Sequence, residues 1–405
     1  MSENETKIKL PKDFLLGAAS AAHQVEGNNT NSDWWYFEQH GKLPKSGMAA
    51  DHYNRYEEDF KLAKQIGLNL MRISIEWARI EPEEGKFDMK EIEHYRSVLK
   101  SLKSLGFTTM VTLFHFTLPL WFARLGGFGG NKAAEKFARY SGLVAEELGE
   151  DIDYFITINE PEVFCYMGYF KGMWPPFKKN PIMVWLTLER LIFAHKAAYR
   201  KIKQALPKSK VGIAKNNVYQ VPARPNNIMD KLVVAIAKKT TNHYFLDRTK
   251  KYQDFIGLNY YFYEKLEFDL FGLFKKRNHY FNNELKVIKR DSQPRSDMGW
   301  RIFPEGIYHL LKDLKKYNKT VFITENGIAN ARDDMRQRFI AEHLYWINKA
   351  LTEGANVKGY CYWTLTDTYE WQDGFNPKFG LIEVNFETQE RKVRPSALVF
   401  KELNR

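Results

Sequence analysis

Short runs of apolar and β-branched residues alternate along the chain with longer segments in which apolar residues recur every three or four positions. The long segments have the periodicity of amphipathic helices, and the short runs have the length of buried strands. Continuous apolar runs are typical of parallel strands, because helices cover both faces of a parallel sheet. Eight runs fit this description: residues 14–19, 69–75, 108–114, 154–158, 210–214, 254–259, 320–324 and 357–363.

Two helical segments carry signals for their ends. One helical face of the first segment is formed by Tyr56, Phe60, Ala63 and Ile66. Gly67 is expected to end that helix, because glycine is the preferred residue just beyond a helix C-terminus. Asp88 is predicted to be the N-cap of the next helix, with Glu91 completing a capping box.

Eight strands separated by helical crossovers, with no linker rich in serine or glycine, predict a fold of the α/β class. We expect a single (β/α)₈ TIM barrel over residues 1–405, with residues 1–10 as a flexible tail. In this fold the active site lies where the strands end and the following loops begin.

Composition limits the class of protein further. Apolar residues make up 44% of the chain and aromatic residues 15%, which is enough for a large core. No run of 18 apolar residues occurs, so no membrane span is expected, and the N-terminus does not resemble a secretory signal. The two cysteines, Cys165 and Cys361, are interpreted as buried hydrophobic residues, which favours the cytoplasm.

The formal net charge of +12 raises the question of nucleic-acid binding. The lysines are spread along helical faces among acidic residues, and no zinc-finger or RNA-binding motif accompanies them, so a solvated basic surface is favoured. Residues 268–281 are apolar and then basic; they are interpreted as a loop packed on the barrel in preference to a contact with an acidic membrane. A homo-oligomer is left open.

Two predicted strands end in an acidic residue preceded or followed by asparagine. Glu160 follows "YFITIN" and Glu325 follows "VFIT". Burying a carboxylate is costly unless it is compensated, so each residue either caps a helix or takes part in chemistry. A pair of carboxylates facing one bond is the arrangement that glycoside hydrolysis requires. Repulsion would raise the pKa of one, and Arg72 in the second strand would keep the other ionised.

Other strand ends carry groups suited to binding a sugar. Glutamine and glutamate form bidentate contacts with vicinal hydroxyls, and indole rings stack on the C–H-rich faces of sugars. A histidine or tryptophan of this kind would more often be a core residue on its own, but their joint placement favours a sugar site. The candidates are Gln24, Glu26, His115, Asn259, Tyr261 and the segment 362–374.

These strings resemble glycoside hydrolase family 1, the family of retaining β-glucosidases and β-galactosidases. "TINEP" is similar to its acid/base motif and "ITENG" to its nucleophile motif. The resemblance extends from about residue 12 to about residue 400 through further motifs in the same order: "HQVEG", "DHYNRYEEDF", "RISIEW", "LFHFTLP", "GLNYY", "SDMGWRIFPEGI" and "WTLTDTYEW".

The resemblance implies a role for each matching residue. Glu160 would be the general acid and base, and Glu325 the nucleophile, held ionised by Arg72 and Tyr261. Asn159 would bind the sugar 2-hydroxyl. The implied residues around the sugar are Gln24, His115, Asn259, Trp363, Glu370, Trp371 and Phe379.

Single residues separate variants of the family. Glu160, where thioglucosidases of the family have glutamine, favours an O-glycosidase. Glu370 is retained and Pro377 stands where phosphosugar relatives have lysine, so a 6-phosphorylated substrate is not expected. Glu162 stands near the leaving-group site where many members have an apolar residue, and the segment before the sixth strand is short, which leaves the aglycone open.

The resemblance therefore implies an exo-acting, retaining β-glycosidase for terminal β-D-glucosides, galactosides or fucosides, carried in small oligosaccharides or aryl or alkyl glycosides. It implies no metal and no organic cofactor, because two carboxylates supply the chemistry. A sugar-binding or regulatory protein that kept the barrel but lost useful turnover is the alternative. Glucose and galactose are not separated by the sequence.

Overall fold

Eight parallel strands form a closed barrel in the computed structural model, which describes residues 8–269, 275–276 and 294–403. The predicted (β/α)₈ fold is confirmed, and each barrel strand overlaps one of the eight predicted runs. Its strands are β1 (Leu15–Ala19), β2 (Leu70–Ser74), β3 (Thr108–Phe114), β4 (Tyr154–Asn159), β5 (Lys210–Asn216), β7 (Phe255–Asn259), β10 (Thr320–Asn326) and β11 (Val357–Trp363). Their order around the barrel is β1-β11-β10-β7-β5-β4-β3-β2.

The remaining described strands lie outside the barrel. One small sheet contains β6 (Tyr219–Pro222), β8 (Tyr263–Glu267) and β9 (Lys275–Lys276). A hairpin near the C-terminus contains β12 (Ile382–Val384) and β13 (Arg391–Val393).

Helices surround the barrel, and α10 lies beside the small sheet. The described α-helices are α1 (Ala22–Val25), α2 (Asp33–Gln39), α3 (His52–Gln65), α4 (Trp77–Ile80), α5 (Met89–Ser104), α6 (Leu120–Arg124), α7 (Ala133–Leu148), α8 (Pro161–Cys165), α9 (Pro181–Ala205), α10 (Ile228–Ala237), α11 (Tyr244–Thr249), α12 (Glu305–Leu314), α13 (Arg336–Thr352) and α14 (Val399–Leu403). Two π-helical segments, Tyr166–Lys171 and Lys238–His243, continue α8 and α10.

The two predicted helix ends have different outcomes. In α3, Phe60, Ala63 and Ile66 are buried as expected, and the helix stops just before Gly67. Asp88 caps α5 by accepting a hydrogen bond from Lys90 N. The predicted capping box is wrong, because the Glu91 carboxylate accepts hydrogen bonds from the Tyr53 hydroxyl at 3.2 Å. The Asp88 N–H that it was expected to bind donates to Ile80 O.

Two layers of apolar side chains hold the barrel together. The inner cluster receives at least one residue from every barrel strand, among them Leu70, Met110, Ile156, Phe255 and Phe322. The outer, larger cluster lies between strands and helices. The inner cluster fills the barrel, which leaves the C-terminal ends of the strands as the place for a site.

Irregular pairing precedes both acidic residues. The register between β4 and β5 shifts between Ile156 and Asn159, and the register of β10 with β7 shifts between Ile323 and Glu325. Such bulges bend a strand and change the direction of the side chains that follow. Glu160 itself has a φ of 44°, in the left-handed region.

Several remaining expectations concern the periphery. No helix within the described ranges is long and apolar enough to cross a membrane. Cys165 and Cys361 are both buried and free. The loop expected at 268–281 lies mostly outside the described residues, as does most of the tail expected at residues 1–10.

Candidate active site

Glu325 lies in a network of polar groups at the end of β10. Arg72 Nη1 donates to Glu325 Oε1 at 2.5 Å, and the Tyr261 hydroxyl donates to Glu325 Oε2 at 2.7 Å. Arg72 is fully buried, so this ion pair is shielded from water. A buried carboxylate in contact with a guanidinium and a hydroxyl donor is stabilised in its charged form.

The same arginine links the two carboxylate-bearing strands. Arg72 Nη2 donates to Asn159 Oδ1 at 2.8 Å, next to Glu160 in sequence. Asn259 Nδ2 lies within 3.2 Å of Asn159 Oδ1 and 2.7 Å of Glu160 Oε1. Both glutamates therefore belong to one continuous hydrogen-bond network.

Glu160 has a different environment from Glu325. Its Oε1 accepts hydrogen bonds from the amides of Asn259 and Asn216, at 2.7 and 3.0 Å. Within the described residues, no cation forms an ion pair with it. Burial, followed by the nearby charge of Glu325, raises the pKa of Glu160 to about 8. The two acids thus lie in different environments, and that of Glu160 favours its protonated form.

A group of rings and one further acid faces the two glutamates. His115 stacks on Trp363, with ring centroids 5.7 Å apart, and also on Trp371 at 6.2 Å. Burial lowers the pKa of His115 well below its usual value, so the ring is neutral. Trp363 Nε1 donates to Glu370 Oε1 at 3.1 Å, and burial raises the pKa of Glu370 to about 8.

The predicted site residues are not all exposed to the cavity. Gln24 is fully buried; its Nε2 donates to Tyr369 O at 2.7 Å, while its Oε1 has no hydrogen-bond partner among the described residues. Arg72, Asn159 and Asn259 are also fully buried and support the glutamates. The predicted residues that line the cavity are His115, Glu160, Tyr261, Glu325, Trp363, Glu370, Trp371 and Phe379.

One candidate has a structural role instead. The Glu26 carboxylate forms an ion pair with Arg79 at 2.9 Å and accepts a hydrogen bond from the Tyr95 hydroxyl at 2.9 Å. It does not line the cavity. The expectation that Glu26 takes part in sugar binding is therefore wrong, because its acceptor atoms are already occupied by Arg79 and Tyr95.

Sequence reasoning missed several residues of the site. Asn216 donates to Glu160, and the Thr324 hydroxyl donates to Asn259 Oδ1 at 2.6 Å. Asn216 could have been found, since β5 runs two residues beyond the predicted end and finishes in asparagine, as β4 does. Trp300 and Met298 also line the cavity; both lie in the family motif "SDMGWRIFPEGI", which could have marked them, but no role was inferred for either from the sequence.

The cavity has a volume of about 760 Å³. Among the residues that the structure describes, no group of three histidine, cysteine, aspartate or glutamate side chains is placed to hold a metal ion. The available chemistry is that of carboxylates, amides, a phenol and a guanidinium. Two carboxylates in one pocket, one ion-paired and one with a raised pKa, at the C-terminal end of a (β/α)₈ barrel, define a barrel glycosidase.

Comparison with known proteins gives the family. The profile of Glycosyl hydrolase family 1 matches residues 6–251 and 246–405. The chain belongs to this family, and it is a glycoside hydrolase with retaining β-glycosidase activity.

Relatives of known name cover nearly the whole chain. A β-galactosidase from Pyrococcus woesei is 32% identical, over 97% of this chain and 96% of its own length. β-Glucosidase A from Thermotoga maritima is also 32% identical, over 96% of each chain. The solved structure of a β-glycosidase from Pyrococcus horikoshii superposes with a TM-score of 0.91 at 38% identity, covering 98% of this chain and 95% of that chain. The alternative of a barrel without useful turnover is not favoured.

Proposed function

We propose that the protein removes single terminal sugars from β-D-glucosides, β-D-galactosides or β-D-fucosides, with Glu325 as the nucleophile and Glu160 as the acid and base. The observation that carries this assignment is the unequal environment of the two acids. Glu325 is paired with Arg72, whereas the Glu160 carboxylate accepts hydrogen bonds from two amides, with no cationic partner among the described residues, and has a pKa of about 8. A charged nucleophile and a protonated acid are the two forms that the first step needs.

In the first step, Glu325 Oε attacks the anomeric carbon while Glu160 transfers its proton to the leaving oxygen. The bond to the aglycone breaks, and the sugar becomes covalently attached to Glu325. Because Glu325 has then lost its charge, the pKa of Glu160 falls, and Glu160 takes a proton from the attacking water. The second displacement restores the original configuration and releases the sugar.

We assign the sugar-binding roles to residues around these acids. Asn159 would bind the 2-hydroxyl, and Glu370 and Gln24 would bind hydroxyls farther from the anomeric carbon. Gln24 Oε1 supports this: it has no hydrogen-bond partner within the described ranges, a buried acceptor without a donor is costly, and a sugar hydroxyl would supply one. The other proposed contacts are His115, Asn259, Trp363, Trp371 and Phe379.

The wider setting is part of the proposal. The residues 1–405 would act as one glycosidase domain without a cofactor. A cytoplasmic location is supported by the two free, buried thiols, Cys165 and Cys361. Substrates would be small oligosaccharides and aryl or alkyl β-glycosides.

The test is the variant Glu325→Gly, assayed with a nitrophenyl β-glucoside in the presence and absence of formate or azide. Removing a covalent nucleophile should lower kcat by about 10⁴-fold or more. A small anion in the vacated space should restore turnover, and with azide the product should be the α-glycosyl azide, since the anion attacks from the Glu325 face. Full turnover without added anion would show that Glu325 is not the nucleophile.

A further inference from the structure

The cavity that contains the two glutamates extends beyond them. Its volume of about 760 Å³ lies in the usual range for pockets that hold drug-sized ligands, and a single hexose is much smaller. The additional wall is formed by α9 and α10, which contribute Val184, Leu188, Met229, Leu232, Val233, Ile236 and Ala237. Space therefore remains for the group attached to the sugar.

A short series of contacts places α10 on the leaving-group side. Glu162 follows Glu160 by two residues and forms an ion pair with Lys215 at 3.2 Å. Lys215 Nζ also donates to Thr241 O at 2.7 Å, and Thr241 lies in the π-helix that continues α10. Since Glu160 is proposed to protonate the leaving oxygen, this wall faces the aglycone.

The α10 wall is apolar and incompletely covered. Leu232 and Ile236 both line the cavity, yet they are 51% and 55% exposed, and Met229 is 38% exposed. Below them, Val233 packs with Leu266 in a small separate cluster. A cluster of exposed apolar side chains beside a catalytic cavity is typical of a ligand groove.

The chemistry of this wall discriminates between classes of aglycone. A second sugar would place its hydroxyls against side chains that form no hydrogen bonds, and it would lose its hydration without compensation. An aliphatic chain would instead remove apolar surface from water on both sides of the contact. Polar side chains such as Glu162, Glu264 and Asp373 also line the cavity, but they lie outside α9 and α10.

We propose that the preferred aglycone carries an aliphatic chain. This chain lies between α10 and the first turns of α9, in contact with the apolar side chains of α10. This proposal rests on the proposed function, because it takes Glu160 to mark the leaving-group side. Among the substrates of the proposed function, it names an alkyl glycoside or glycolipid as preferred over a small oligosaccharide.

The experiment measures the binding of alkyl 1-thio-β-D-glucosides from methyl to octyl by calorimetry, below the concentration at which they form micelles. Full burial of a methylene corresponds to about a fourfold change in Kd. Because the wall is half exposed, we expect Kd to fall by about twofold per methylene. Binding is read directly, so the result does not depend on turnover. A Kd independent of chain length would overturn the inference, whereas a lack of hydrolysis would count against the proposed function alone.

Variants on one helix provide the control. Leu232→Asp and Ile236→Asp should flatten the dependence of Kd on chain length, while Ile228→Asp should keep it, because Ile228 is 78% exposed on the same helix but does not line the cavity. A second copy of the chain is the competing occupant of this face. Size-exclusion chromatography would then show a dimer that Leu232→Asp dissociates. If the same variant leaves the dependence of Kd on chain length unchanged, the proposal is contradicted.

A last comparison tests whether the alkyl chain belongs to a membrane glycolipid or to a free alkyl glycoside. Octyl β-glucoside is supplied to the wild-type enzyme either as monomer or in phosphatidylcholine vesicles at equal total concentration. Faster turnover with vesicles supports a membrane glycolipid as substrate, and faster turnover with monomer supports a free alkyl glycoside. If octyl glucoside is turned over no faster than methyl glucoside, whether as monomer or with vesicles, the alkyl chain has no role.

Discussion

At the scale of single residues, two glutamates with the same side chain acquire different chemistry from their neighbours. The Glu325 carboxylate accepts hydrogen bonds from Arg72 and Tyr261, whereas that of Glu160 accepts them from the side-chain amides of Asn259 and Asn216. Burial is the larger cause of the raised pKa of Glu160, and the charge of Glu325 is the second. The network therefore fixes the positions of both acids and gives only Glu325 a cationic partner among the described residues.

The first prediction concerns the pH dependence of catalysis. A general acid must be protonated, so activity is present below its pKa and lost as the pH rises through it. With a pKa of about 8 for Glu160, kcat/KM should be constant near neutral pH and decrease above about 8. Glu160→Gln should remove this decrease and lower kcat/KM for alkyl glucosides by about 10² to 10⁴-fold.

A second acid is an alternative cause of the decrease in kcat/KM at alkaline pH. Burial also raises the pKa of Glu370 to about 8, so its ionisation could give a similar profile. If the decrease at alkaline pH survives in Glu160→Gln, it belongs to Glu370 or another group, and the assignment of Glu160 as the acid fails. The pH profile of kcat/KM for both proteins decides between them.

The second prediction isolates one hydrogen bond to the nucleophile. Tyr261→Phe removes the hydroxyl that lies 2.7 Å from Glu325 Oε2. A hydrogen bond to a charged group contributes about 1.5–3 kcal/mol, so kcat should fall by about 10- to 100-fold.

Tyr308→Phe is the matched control for this variant. Its hydroxyl donates to the exposed carboxylate of Glu353, also at 2.7 Å, on the protein surface. This substitution should leave kcat unchanged. Equal effects of the two substitutions on kcat would show that the loss does not arise at Glu325.

At the scale of secondary-structure elements, the ends of the barrel strands determine the site. β10 continues through Glu325 to Asn326, so the acid belongs to the strand and is held by its pairing with β7. The register shift before Glu325 resembles the shift before Glu160 in β4 and β5. A shift in pairing of this kind changes the direction of the side chains that follow it while the strand stays in the barrel.

The third prediction tests how tightly the ends of β10 and β11 pack. Gly327 follows the nucleophile strand, and a Cβ there would lie 1.9 Å from the backbone oxygen of Trp363. Since that oxygen cannot rotate away, Gly327→Ala should destabilise the protein by about 1–3 kcal/mol and lower kcat/KM. Thermal unfolding and the glucosidase assay measure the two effects.

Gly142→Ala serves as the control of the same chemical change. Gly142 lies within α7, and a Cβ there would make an ordinary contact of 3.6 Å with Lys201. Alanine is favoured over glycine inside a helix by up to about 1 kcal/mol, so stability should stay the same or rise. A stable and fully active Gly327→Ala would contradict the close packing.

At the scale of the whole molecule, the C-terminal hairpin is tied to the loop that carries Glu370 and Trp371. Asp367 in that loop is fully buried and accepts hydrogen bonds from both terminal nitrogens of Arg394, at 3.2 and 3.0 Å. The residue Gly380 donates its N–H to the same carboxylate at 2.9 Å. These hydrogen bonds connect the residues before and after the hairpin, Gly380 and Arg394, to the loop at the mouth of the barrel.

The fourth prediction follows from this buried ion pair. Arg394→Met leaves the Asp367 carboxylate buried without its cation, which should lower the free energy of unfolding by about 3–5 kcal/mol. The double variant Asp367→Asn/Arg394→Met should lose less, because no uncompensated charge remains. Urea unfolding at pH 7 measures all three proteins.

A surface pair provides the comparison. Glu83 and Lys86 form an ion pair at 2.6 Å, with side chains 67% and 73% exposed. Lys86→Met should change stability by about 0–1 kcal/mol, because water screens exposed charges. If Arg394→Met costs no more than Lys86→Met, the buried pair does not anchor the hairpin.

The sequence by itself determined the barrel, its eight strands, and the two strand ends that carry Glu160 and Glu325. Apolar runs and helical periodicity are local properties, and the rule that a barrel site lies at the strand ends converts chain order into position. Arg72 and Tyr261 contact Glu325, as the family motifs implied, whereas Asn259, expected among the sugar-binding residues, donates to Glu160.

Only the tertiary structure decided which partner each polar group has. In the folded molecule Glu26 binds Arg79 and Tyr95, Glu91 accepts a hydrogen bond from Tyr53, and Asn216 donates one to Glu160. Hydrogen bonds, burial and charge interactions act over a few ångströms between residues that are far apart in the chain. Their strength depends on distances that no local pattern encodes. For the same reason, only the folded molecule shows that apolar side chains of α10 line the cavity.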